Sequence, residues 1–300
     1  MEFFIAGYPK CGTTALYHYL KAHPQVFLPE LKEPHYFSGD FPGARKVTTP
    51  AAYEAFFQAA LPAQLRGDAS ASVIHSAVAM DRILAFDPAA KFVVLVREPV
   101  AAARSFHSEL LYNLNEDEPD FATAWALQKE RARGRRIPST CREPGFLQYA
   151  QIFRYRDQLP ALFERVPEAQ RLVLVFEEFF ANPQAGYCRV LEFLGLENDG
   201  RSDFGSVNAA KQLRWRRLSA LHRRLVSNND ALYRTAKRGL SALGVHPSHI
   251  LSRFNAKPRR KEALPLVFKA ELAAHFSEDV ATVERLLGRN LLSWNTKGDR

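Results

Sequence analysis

Residues 3–16 read Phe3-Phe4-Ile5-Ala6-Gly7-Tyr8-Pro9-Lys10-Cys11-Gly12-Thr13-Thr14-Ala15-Leu16, and the fold turns on them. Phe3 to Ala6 is a short unbroken apolar run, the pattern of a parallel strand buried on both faces. Gly7 to Gly12 is a turn carrying two glycines and a proline. Thr13 to Leu20 reads as a helix that opens on hydroxyl residues. Strand, glycine-bearing loop and helix N-terminus together make an anion cradle, because first-turn N–H groups lack helical acceptors and the helix dipole favours negative charge.

The loop is not an ordinary nucleotide loop. Gly7 and Gly12 have the spacing of G-x-x-x-x-G-K-[ST], but Thr13 stands where the lysine belongs. Thr14 keeps the hydroxyl, and the lysine sits inside the loop at Lys10. An ATPase or kinase needs its lysine on the terminal phosphates. This loop points instead to a phosphate-like ligand whose transferred group is met by a cation elsewhere.

A second anion motif follows. Lys91-Phe92-Val93-Val94-Leu95-Val96 is an apolar strand ending in Arg97, with Glu98-Pro99 next and Arg104-Ser105 on the helix that Pro99 opens. With A-G-Y-P-K-C-G-T-T, this arrangement resembles the sulfotransferases, which move a sulfuryl group from 3′-phosphoadenosine 5′-phosphosulfate (PAPS) to an acceptor. The first motif is similar to the family's 5′-phosphosulfate loop and the second to its 3′-phosphate site. Leu31-Lys32-Glu33-Pro34-His35-Tyr36-Phe37 is similar to the segment carrying the catalytic glutamate of heparan-sulfate-type members. Gly67-Asp68-Ala69-Ser70 resembles a strand of bacterial members, and residues 286–294 resemble the family's terminus.

The resemblance implies an α/β fold of the P-loop type, a three-layer single domain over residues 1–300 with a central parallel sheet and helices on both faces. Strands alternating with helices point the same way. It implies PAPS as co-substrate, with no metal required. Lys10 would neutralise the bridging oxygen. Backbone N–H groups from Cys11, Gly12, Thr13, Thr14 and Ala15, with the two hydroxyls, would hold the 5′-phosphate. Arg97 and Ser105 would take the 3′-phosphate. An acceptor hydroxyl needs a base, and Glu33 matches the family's glutamate. His35 is the runner-up, as base or orienting partner, since two residues apart on an extended segment share a face. Lys257 and Arg259, in Ala256-Lys257-Pro258-Arg259-Arg260, would close over the nucleotide, with Lys211 and Arg214 as rivals. The chain departs from heparan-sulfate-type members in lacking a lysine at 67–70; either Lys32 supplies that charge or one lysine fewer is used.

Composition agrees. The chain has 300 residues, 47% hydrophobic, with a net charge of +9. A basic balance suits anionic ligands. No nucleic-acid module is recognisable. Cys11, Cys141 and Cys188 form no disulfide framework and suit a reducing compartment. Cys11, in the loop, reads either as a thiol activated by the helix N-terminus or as a small packing residue. No stretch has the ~20 apolar residues of a membrane span, and no leader precedes the first strand. The expectation is a soluble cytoplasmic protein with a hydroxyl-bearing acceptor: a glycan, a glycolipid or a small metabolite.

Elsewhere the patterns predict short strands at 25–29 and 65–70, a strong strand at 171–176, and helices at 50–60, 77–86, 100–112, 121–133, 182–194, 214–224 and onward to 243, with two more in 264–287. A long helix is predicted at 147–163, its aromatics Phe146, Tyr149, Phe153 and Tyr155 in the core. Residues 30–43, 113–120 and 197–207 read as loops, and 133–144 as a mobile, basic substrate loop. Two rival functions stay open: a kinase-like P-loop enzyme needing ATP and Mg²⁺, and a non-enzymatic nucleotide- or polyanion-binding protein.

Overall fold

A computed structural model describes residues 2–205, 211–213, 256–258 and 263–295. The chain divides into two compact units, one of Met1–Ala103, Tyr149–Asn208 and Pro265–Arg300, the other of Arg104–Gln148 and Ala209–Leu264.

The first unit is built on a five-stranded sheet: β1 (Phe3–Ile5), β2 (Val26–Phe27), β3 (Leu65–Asp68), β4 (Lys91–Val96) and β5 (Arg171–Val175), in the order β2-β3-β1-β4-β5. Every pairing is parallel. Phe3, Phe4 and Ile5 are all fully buried, as are Phe92 to Val96. Successive residues of a strand point to opposite faces, so both faces of the sheet are covered. Phe4 pairs in register with Phe92, and their rings stack at 5.8 Å. β1 lies between β3 and β4, so the chain leaves it first toward one edge and later crosses to the other. The carboxyl ends of β1, β3 and β4 therefore meet where such sheets hold ligands.

Helices follow their caps. α1 (Thr13–Lys21) follows β1. α2 (Pro50–Glu54) starts on Thr49, whose Oγ1 accepts from Ala52 N, and continues only as a short 3-10 turn over Ala55–Phe57. α3 (Ala79–Phe86) precedes β4 and buries Ala79, Met80 and Ile83. α4 (Pro99–Tyr112) begins beside Glu98, whose carboxylate accepts from Val100 N (2.9 Å) and Ala101 N (2.6 Å).

The helix expected over 147–163 is broken. α7 (Tyr149–Ile152) and α8 (Tyr155–Arg165) flank Arg154, whose ψ of 67 is not helical. The break has a packing reason. Phe153 and Tyr155 both lie on Tyr8, at 6.3 and 4.4 Å between ring centroids. Residues two apart on a continuous helix face different ways and could not both do so. Tyr149, Phe153 and Tyr155 are fully buried as expected, whereas Phe146, on the 3-10 turn Pro144–Leu147, is only half-buried.

β5 is shorter than expected, because Phe176 opens a helix missed in the sequence, α9 (Phe176–Ala181). α10 (Pro183–Leu194) is capped by Asn182 and ends at Gly195 with φ 77, as its sequence signals. α11 (Leu266–His275) and α12 (Ser277–Leu287) form the closing pair, followed by α13 (Leu292–Asn295). Asp279 of α12 receives Arg156 N (2.9 Å) and Arg156 Nη1 (3.2 Å) from α8.

In the second unit the helix predicted at 121–133 is divided at Leu127 into α5 (Phe121–Ala126) and α6 (Gln128–Ala132). Arg131 and Glu116 form a fully buried bidentate pair, both bonds 2.6 Å. Arg131 Nε also donates to Arg136 O at 3.3 Å, tying the start of the basic 133–144 segment to α6. β6 (Lys211–Leu213) pairs antiparallel with β7 (Ala256–Pro258). The helices predicted over 214–243 lie outside the described residues.

Candidate active site

The loop between β1 and α1 is shaped by contacts its sequence cannot avoid. A Cβ at Gly7 would lie 2.7 Å from Leu95 N of β4. Gly12, the N-cap of α1, has φ 93, and a Cβ there would meet Phe180 at 2.5 Å. Only glycine fits either place. α1 has no side-chain cap, unlike α2, α5 and α10. The N–H groups of Thr13 and Thr14 have no acceptor inside the helix. Ala15 N donates to Gly12 O at 3.0 Å and Cys11 N to Tyr8 O at 3.3 Å, so these two expected contributors are already used within the turn.

Cys11 is fully buried with Sγ on Pro9 O at 3.5 Å. Burial pushes its thiol up to about 12, against the opposing pull of Arg97. It is a packing residue, and the activated-thiol alternative falls. Thr13 is buried and Lys10 half-exposed.

Arg97 leaves the end of β4 and its Nη1 donates to Lys10 O at 3.0 Å. Lys10 has φ 63, a left-handed conformation uncommon outside glycine. Tyr155 Oη donates to Arg97 O at 2.9 Å. Arg97 Nε is buried with no hydrogen-bond partner among the described residues. A guanidinium nitrogen left in that state suits an anionic ligand. Ser105 lies on α4 in the second unit. The backbone of Lys257 is in β7 and that of Lys211 in β6, whereas Arg259 and Arg214 lie outside the described residues.

Glu33 and His35 were expected on an extended segment. They are not extended: φ is 59 at Glu33 and 52 at His35. The backbone curls because Glu33 N donates to Ala69 O (3.2 Å) and His35 N to Ser70 Oγ (3.1 Å). The side chains still meet, His35 Nε2 lying 3.7 Å from Glu33 Oε2. Lys32 Nζ bonds the other carboxylate oxygen. Burial would raise the Glu33 carboxyl, but the Lys32 charge and the neighbouring His35 ring overcome it and hold the group well below the usual carboxylate range. Its side chain remains about one-third exposed, at 34%.

Beneath them is a polar network that the sequence did not announce. Asp68, at the end of β3, accepts from Tyr53 Oη (2.8 Å) and Ser70 Oγ (2.7 Å). Burial raises its carboxyl despite those bonds. His35 Nδ1 and Ser72 Oγ are 2.6 Å apart, and Ser72 Oγ and Ser38 Oγ 2.7 Å. The alternation of polar and small apolar residues in Asp68-Ala69-Ser70-Ala71-Ser72 was the available signal. Lys46 was also missed; its Nζ donates to Lys32 O at 2.6 Å. Among the described residues no cluster of His, Cys, Asp or Glu could hold a metal ion, and no helix is long and apolar enough to cross a membrane.

Comparison with known proteins places these features. The profile described as the sulfotransferase family matches residues 2–200. Human heparan sulfate glucosamine 3-O-sulfotransferase 3B1 is 28% identical over 193 residues, 64% of this chain and 45% of that protein. This chain thus spans about half the length of such curated relatives. Human carbohydrate sulfotransferase 15 is 51% identical over 37 residues, 12% of this chain and 7% of that protein. The crystal structure of a sulfotransferase from Alicyclobacillus acidocaldarius superposes with a TM-score of 0.70 at 24% identity, covering 98% of each chain, a likeness of fold.

Proposed function

Since the chain belongs to the sulfotransferase family, we propose that it moves a sulfuryl group from PAPS to an acceptor hydroxyl, with Glu33 as the base. The observation that carries this reading is the bond from Arg97 to Lys10 O, which joins the two anion motifs at the carboxyl end of the sheet. The uncapped α1 and the buried, unpartnered Arg97 Nε are what a nucleotide with two separate phosphates requires.

When bound, PAPS supplies an electrophilic sulfur and an anionic leaving group. Thr13 and Thr14 N–H groups, with the hydroxyls, hold the 5′ end. Arg97 holds the 3′-phosphate. Lys10 neutralises charge on the leaving oxygen, the task left by the absent loop lysine. Glu33 is ionised throughout the working pH range and so is always ready to receive a proton. Its low basicity means the transfer occurs only as the acceptor oxygen bonds to sulfur and becomes acidic. His35 orients Glu33 Oε2, and Lys32 occupies Oε1.

A sugar hydroxyl is the acceptor we favour. Its support is the activity in the name of the 28%-identical relative. Calorimetric titration with adenosine 3′,5′-bisphosphate, without metal, tests the cofactor. Binding that disappears in an Arg97→Ala variant is the expected result. Binding of ATP with Mg²⁺ and not of the bisphosphate would replace this reading with the kinase-like one.

A further inference from the structure

The guanidinium of Arg97 lies on an aromatic face. Its carbon is 4.2 Å from the centroid of the Phe176 ring. Phe176 opens α9, and its ring meets that of Phe180 at 4.6 Å. Phe180 in turn closes on Gly12: a Cβ there would fall 2.5 Å from Phe180 Cε2 and 3.3 Å from Phe176 Cδ2. One aromatic pair on one short helix thus touches the N-cap of α1 and the arginine at the end of β4.

α9 is itself held from three directions. Glu177 Oε1 accepts from Glu98 N (3.2 Å), and its Oε2 from Trp294 Nε1 (2.8 Å). Glu178 Oε2 accepts from Arg289 Nη2 at 2.6 Å. The ring under Arg97 therefore has a fixed address, set by α13, by the turn before it and by the residue that precedes α4.

We infer that Phe176 is a positioning residue that fixes Arg97 in advance and sets the preference for a nucleotide bearing a 3′-phosphate. This rests on the assignment of Arg97 to the 3′-phosphate given above. The physical argument is pre-organisation. A free arginine side chain samples many rotamers, and confining it on binding weakens the complex. Stacking on Phe176 confines the guanidinium in a planar orientation, while Nη1 is taken by Lys10 O. The donors left to a ligand are then held in one plane before it arrives.

The test compares binding of adenosine 3′,5′-bisphosphate with that of adenosine 5′-monophosphate, by calorimetry, in the wild type, Phe176→Leu and Phe176→Tyr. The wild type is expected to favour the bisphosphate. Phe176→Leu should lower bisphosphate affinity by roughly tenfold while the monophosphate changes less than about twofold, and Phe176→Tyr should keep the preference. A merely structural role would weaken both nucleotides alike. Phe176→Met serves in its place if the leucine variant has lost the wild-type circular dichroism. A folded leucine or methionine variant with an undiminished bisphosphate preference, or with equal losses for both nucleotides, overturns the inference. A wild type without preference overturns the assignment of Arg97 itself, and this inference with it.

Discussion

Arg97 Nη1 donates to the carbonyl of Lys10 at 3.0 Å, and that carbonyl belongs to a residue with φ 63. Two loops far apart in sequence are thereby set by one bond, which also keeps the left-handed turn of Lys10 in place. Arg97→Lys should therefore do more than weaken one phosphate contact. Lysine cannot both stack on Phe176 and donate in that plane. Loss of a charge-assisted bond is worth about 1.5–3 kcal/mol, so bisphosphate binding should weaken by at least roughly tenfold. Isothermal titration measures this, and unchanged affinity would remove Arg97 from the site.

Glu33→Gln removes a proton acceptor while keeping shape. Turnover with PAPS and a competent acceptor should fall by about 10²–10⁴, the usual worth of a positioned base. Bisphosphate affinity should stay within about twofold if the carboxylate acts on the acceptor alone. A variant with wild-type turnover would transfer the role to His35 or to another group.

Lys32 governs how Glu33 titrates. The folded carboxyl is depressed, so its ionised form is favoured by folding. That contribution is complete above the unfolded carboxylate pKa of about 4.3 and is lost only as pH falls through the lower folded value. In the wild type, turnover should show no carboxylate limb on the acid side between about pH 8 and 5. Lys32→Met should bring an acid limb up toward ordinary carboxylate values. A pH–rate profile identical to wild type would mean that Lys32 does not hold Glu33 down.

Cys11 should be inert. With its thiol pushed up to about 12 by burial, very little thiolate exists at neutral pH. Alkylation by iodoacetamide under native conditions should label Cys141 and Cys188, both half-buried, well before Cys11. Peptide mass mapping gives the order directly. Early labelling of Cys11 would show that the loop opens readily.

Arg131→Met tests the buried pair of the second unit. Truncation leaves the Glu116 carboxylate without its counter-charge, which typically destabilises by about 3–5 kcal/mol. Denaturant unfolding should show a lowered midpoint with Arg131→Met. The double variant Arg131→Met/Glu116→Leu should recover part of the loss, because apolar groups replace both charges together.

Local signals made much of this readable. The β1–loop–α1 unit and the arginine closing β4 are contiguous stretches, and so are Asn182-Pro183 and Gly195 at the two ends of α10. Glu33 and His35 were identifiable as residues, but not the curl of their backbone. That curl is imposed by Ala69 and Ser70, more than thirty positions later in the chain. α9 was hidden for a related reason. Phe176 continues the apolar run of β5, and the partners that hold the helix are Glu98, Trp294 and Arg289. No window of sequence contains them together. The break at Arg154 likewise follows from Tyr8, a residue near the start of the chain and far from it in sequence.

Lys10, Glu33 and His35 share one property: each is a non-glycine residue at positive φ. Such a conformation is disfavoured by on the order of 1 kcal/mol for an L-residue. Replacing any of the three by glycine relaxes the backbone while deleting the side chain assigned to the reaction. Directed evolution that ranks variants by survival of a heat challenge would thus enrich glycine at these positions and return robust, inactive proteins. A campaign to harden this scaffold must therefore score turnover in every round, and look for its gains elsewhere in the chain.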